Sequence, residues 1–160
     1  MTDRPRRAMT DRSTSVILNY ILVLAITTIL ITGLIIAGGN FVEDNRERVI
    51  HSELTVIGNH VAGNLEQVDR LVQASEDDVG DDPDVAHVNQ SFQDEVTGSH
   101  YNVLLDDGDP VQVVVNSTQP EVSVRVNVTI QTDVRKSHAD GGPISVYYDE
   151  DSDELVIDND

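Results

Sequence analysis

Hydrophobic residues crowd the front of this chain and then thin into two different rhythms. Val16 to Ala37 is a stretch in which only Asn19, Thr27, Thr28, Thr32 and Gly33 are not apolar, and Ser13 to Val42 holds no charged side chain. A helix needs about 20 such residues to cross the hydrocarbon core of a bilayer. Residues 13–42 are therefore predicted to form a transmembrane helix. Threonine hydroxyls can bond back to the carbonyls of their own helix, so Thr27, Thr28 and Thr32 are tolerable in lipid. Two other readings compete. A buried helix of a soluble protein seldom runs this long without a charge. A cleaved secretory signal ending near Ala37-Gly38-Gly39 would have a shorter apolar region, about 7–15 residues.

Beyond Gly38-Gly39-Asn40, where a kink or break is expected, apolar residues recur with helical period. Ile50, Leu54, Ile57, Val61, Leu65, Val68 and Val72 are spaced four, three, four, four, three and four apart. That is one apolar stripe along an amphipathic helix, predicted over residues 43–75. Glu43, Asp44, Glu47, Glu53, Glu66 and Asp69 fall on its other faces, and Asp44–Arg48 and Glu66–Arg70 are acid-to-base pairs one turn apart. Gly58 and Gly63 each weaken the helix by up to about 1 kcal/mol relative to Ala. The region 76–100 reads as an acidic loop, with Pro83 helping to keep the helix ended.

From residue 101 to residue 160 the period falls to two. Tyr101–Leu105 and Val111–Val115 flank a turn made by Asp106-Asp107-Gly108-Asp109-Pro110. Val122, Val124, Val126, Val128 and Ile130 alternate with polar residues as one strand with a buried face. Ser145–Tyr148 and Leu155–Ile157 read as a final hairpin. The expected fold is α+β: a transmembrane helix continuing into an amphipathic helix, then an antiparallel sheet of four or five strands. The helix stripe and the inward face of the sheet cover each other.

Charge sets the expected orientation. The head, residues 1–12, carries Arg4, Arg6, Arg7 and Arg12 against Asp3 and Asp11; beyond the span lie 6 basic and 27 acidic residues. Lys and Arg stay on the cytoplasmic side, so the head is expected inside and the remaining chain outside the cell membrane. Three glycosylation sequons lie in that outer part, at Asn89, Asn116 and Asn127. The formal net charge of −19 excludes a nucleic-acid binder that works by general attraction to phosphate. Asp outnumbers Glu 20 to 9, and Lys136 is the only lysine. A dispersed skin of short carboxylates suits a protein kept hydrated in concentrated salt, where screening removes its self-repulsion.

A basic head, an uncut apolar helix, its amphipathic continuation and a β-meander form the layout of type IV pilins. Arg12-Ser13-Thr14-Ser15-Val16-Ile17-Leu18, followed by Leu24-Ala25-Ile26-Thr27, resembles the N-terminal segment of haloarchaeal pilin-like proteins. The chain as a whole is similar to short, uncharacterised haloarchaeal single-pass membrane proteins. The resemblance implies a processing site between Arg12 and Ser13 and contact with other pilin-like subunits through the N-terminal helix. Two features depart from the pattern. Thr14 to Phe41 holds no acidic residue, and the residue after Arg12 is Ser13 rather than Gly or Ala. A permanently retained head is the competing reading.

Little in the chain points to chemistry. There are no cysteines, which excludes disulfides, thiolate metal sites and cysteine nucleophiles. His51, His60, His87, His100 and His138 show no spacing that converges on a metal. No nucleophile elbow or phosphate-cradling glycine loop is present. Asp149, Asp151 and Asp153 begin like a calcium loop, but Glu154 stands where such a loop needs Gly. A solvated hairpin turn is the simpler reading. The expectation is a non-enzymatic, pilin-like surface protein without cofactor or metal, partnered by membrane lipid. The alternative is a stand-alone surface protein whose outer part binds an extracellular partner or a cation.

Overall fold

The computed structural model describes residues 6–77 and 86–159. A single helix, α1 (Arg6–Asp77), is followed by eight strands: β1 (His87–Ser91), β2 (Glu95–Val96), β3 (Ser99–Asp106), β4 (Gln112–Thr118), β5 (Glu121–Asn127), β6 (Ser137–Asp140), β7 (Pro143–Asp149) and β8 (Glu154–Asn159). The chain divides into two compact units, Met1–Asp44 and Asn45–Asp160. The α+β class and the antiparallel sheet are as the sequence predicts. A kink or break was expected at Gly38-Gly39-Asn40; the backbone there stays helical, without a break. Glycine weakens a helix without having to end it, because its i to i−4 hydrogen bonds still form.

In the second unit the strands form two antiparallel sheets. One has five strands, in the order β2-β3-β4-β5 with β6 also paired to β3; the other has three, in the order β1-β7-β8. Residues 133–140 stitch the sheets together. Ala139 in β6 pairs with Val103 in β3, while the amide of Arg135 donates to Leu155 O and the amide of Leu155 to Asp133 O in return.

All seven stripe residues of α1 are buried, six of them at 2% exposure or less and Ile57 at 8%. They join Val103, Leu105, Val113, Val115, Ile144, Val146, Leu155 and Ile157 in one apolar cluster. Gly58 faces the five-stranded sheet at close range. A Cβ there would meet the Cγ2 atoms of Val126 at 3.0 Å and Val115 at 3.3 Å.

Two expectations are corrected. Residues 76–100 are not all loop: β1, β2 and the start of β3 lie within them, and the stretch 78–85 lies outside the described residues. β1 escapes the alternation test because its His-Val-Asn-Gln-Ser carries one apolar residue; pairing with β7 orders it, with Val88 opposite Val146. The strand expected over 122–130 ends at Asn127. Beyond it the chain turns back over α1, where Asp69 Oδ1 accepts the backbone N–H groups of Gln131 at 3.1 Å and Thr132 at 2.8 Å. Asp69 is therefore buried, at 6% exposure, although it lies off the apolar stripe. β6, which the sequence did not signal, turns small Ala139 inward at full burial.

Candidate functional site

The apolar skin of the first unit is its main functional feature. Every large hydrophobic residue named from Val16 to Val42 is exposed, up to 73% at Leu34. Among the described residues, one helix is long and apolar enough to cross a membrane. The hydroxyls of Thr27, Thr28 and Thr32 each donate at 2.8 Å to the carbonyls of Val23, Leu24 and Thr28, four residues back. Their polarity is thus satisfied inside the helix, as a lipid environment requires. The arrangement is compatible with a single-pass membrane protein. Arg12 and Ser13 lie within the helical backbone of α1, seven and eight positions into it.

The second unit offers an apolar groove and a polar depression. The groove, about 630 Å³, runs between α1 and the segment that follows β1, with Val56, Ile57, Phe92 and Val96 among its walls. His60 meets Phe92 edge-on, with ring centroids 6.2 Å apart. No sequence pattern foretold it, because its walls come from separate elements. The depression lies on the outer face of the three-stranded sheet. It opens on either side of Tyr147 as hollows of about 320 and 430 Å³, both lined by His87.

The three sequons fall in different settings. Asn89 is exposed on β1; Asn116 is half-buried on β4; Asn127 is exposed at the end of β5. Their hydroxyl partners Ser91, Thr118 and Thr129 are all exposed.

The acidic turn 149–154 is held by an arginine. The Arg135 guanidinium donates to Asp149 and lies 3.7 Å from Glu154. Asp149 also accepts the amide of Asp151, and the Tyr148 hydroxyl donates to Asp153 at 3.0 Å. Among the described residues, no group of three His, Asp or Glu side chains could hold a metal ion. The Arg135 hydrogen bond, aided by the amide of Asp151, holds the Asp149 carboxyl below its ordinary pKa. Because the folded value is lowered, this pairing stabilises the fold above the unfolded carboxyl's pKa. That contribution is lost as pH falls through the lowered value. In an Arg135→Met variant, carboxyl NMR should show Asp149 titrating at higher pH than in the wild type. An unmoved titration would mean that the pairing is absent in solution.

One family model matches the chain, described as a family of unknown function (DUF7266), over residues 9–158. No curated protein and no solved structure matches it. The match runs from the apolar helix through β8, so helix and sheets belong to one inherited design. The chain belongs to this family.

Proposed function

We propose that this DUF7266 member is a non-enzymatic, pilin-like surface protein, anchored by α1 with residues 1–12 in the cytoplasm and its acidic sheets outside. The observation that carries the reading is the uninterrupted exposure of the apolar side chains from Val16 to Val42. Burying apolar surface is worth roughly 25 cal/mol per Å², so such a skin is stable only under lipid or against like helices. The second unit needs no such cover for its own stripe, which its sheets already bury. Charge supports the orientation: arginines precede the span and a heavy excess of carboxylates follows it. In this reading the helix packs among like helices in a surface assembly, and the sheets face outward.

Protease added to intact cells should degrade the region after Asn40 and leave the head protected. A protected C-terminal part would sink the orientation. N-terminal sequencing of the native protein then separates assembly from a fixed anchor. A mature start near Ser13 or Thr14 supports the pilin-like subunit, while an intact head supports the stand-alone surface protein.

A further inference from the structure

We infer that Asn89 is the residue of this chain that carries an N-linked saccharide, and that Tyr147 is the shelf on which its first sugar rests. The inference rests on the outward orientation proposed above, since glycosylated sequons mark surfaces exposed on the secretory side.

The strand register selects among the three sequons. Asn116 is half-buried on β4, an inner strand flanked by β3 and β5, between Asn102 and Ser123. Asn127 is exposed at the end of β5 and, like Asn89, has its amide oxygen engaged, here by Gln112 Nε2 at 2.9 Å, so what lies around it must separate the two. None of these cross-strand partners is aromatic, nor is Ser145 opposite Asn89; what sets Asn89 apart is the hollow it shares with Tyr147. Asn89 lies on β1, at the edge of the three-stranded sheet. Its amide oxygen accepts from the Ser145 hydroxyl at 2.8 Å, which fixes the plane of the amide. Its Nδ2, the atom that takes a sugar, has no partner among the described residues.

The surroundings suit a sugar. Asn89 stands opposite Ser145, and His87 opposite Tyr147. Alternation along a strand puts all four on the outer face, with Tyr147 diagonal to Asn89 at roughly 7–8 Å. One sugar ring bridges that gap. The hollow of about 430 Å³ is lined by His87, Asn89, Ser145, Tyr147, Asp158 and Asn159. The half-buried ring of Tyr147 offers an apolar surface to the C–H face of a pyranose. The Asp158 carboxylate and the His87 imidazole can bond its hydroxyls. The hollow thus combines an attachment atom, an aromatic floor and polar walls.

The modification requires a phosphate-activated glycosyl donor and a transferase at the membrane. Nδ2 forms a bond to the anomeric carbon, the bond from that carbon to the donor's phosphate oxygen breaks, and the phosphate leaves with its electron pair. Nδ2 gives up one proton to solvent, and no oxidation or reduction occurs.

The test uses the full chain from its native membranes, bearing a control Asn-Gly-Thr sequon appended after Asp160. Peptide mass spectrometry should find a saccharide on Asn89. Asn89→Gln should remove it, and Asn116→Gln and Asn127→Gln should leave it. Enzymatic removal of the saccharide should lower the melting temperature by at least about 2 °C. In a Tyr147→Ala variant, which keeps Asn89 loaded, the same removal should shift melting by much less. A loaded control with Asn89 bare overturns the inference and leaves the outward orientation standing. A bare control together with a bare Asn89 overturns the orientation and the inference with it, and a saccharide on Asn89 supports both whatever the control shows. An undiminished shift in the Tyr147→Ala variant overturns the shelf.

Discussion

Leu65→Ala should destabilise the second unit by about 2–5 kcal/mol, the usual penalty for a large-to-small change in a packed core. Leu65 has no exposed surface and lies in the cluster that α1 shares with both sheets. The loss is a large part of the 5–15 kcal/mol that holds a typical domain together. Urea unfolding of a fragment beginning at Asn45, followed by circular dichroism, measures it. The same fragment decides whether the stripe is satisfied within one chain. Its four-three spacing also suits a coiled-coil seam between subunits. The fragment should remain folded and monomeric on dilution to low micromolar concentration. Dissociation of an oligomer by Leu65→Ala, with the sheets intact, would contradict the intramolecular packing.

Gly58→Leu should destabilise the unit by about 1–3 kcal/mol or more, through overpacking. A Cβ at this position already presses on Val126 and Val115, and the rest of a leucine has nowhere to go unless helix and sheet separate. Gly63→Ala should act in the opposite direction, stabilising by up to about 1 kcal/mol. A Cβ at Gly63 meets nothing within 4 Å, so only the gain in helix propensity is felt. Thermal melts of the two variants against the parent give the comparison. Equal and opposite shifts are not required; a neutral or stabilising Gly58→Leu would overturn the close approach.

The two glycines look alike in the primary structure. Both fall within the helical segment that carries the stripe, and both lower intrinsic helicity. Only their rotation about the helix axis distinguishes them, and the meaning of that rotation depends on where the sheet lies. Asp69 makes the same point. On a helical wheel it is one more carboxylate off the apolar stripe, yet the chain leaving β5 brings two amides to it.

The features legible from the chain itself are those that rest on local, repeated chemistry. The apolar span, the stripe from Ile50 to Val72, and the strands around Tyr101–Leu105, Val111–Val115 and Leu155–Ile157 follow from periodicity, because burial of one face imposes the same spacing on every residue in it. The head's positive charge and the later excess of acid are equally local. What tertiary structure alone decided depends on partners distant in the chain. β1 and β6 carry too few apolar residues to declare themselves, and exist because β7 and β3 supply their hydrogen bonds. Arg135 reaches the acidic turn from outside the hairpin, and Tyr147 comes beside Asn89 only through strand register. Such pairings have no period along the chain. They arise when the folded backbone closes distances of tens of residues, and that closure is a property of the whole fold.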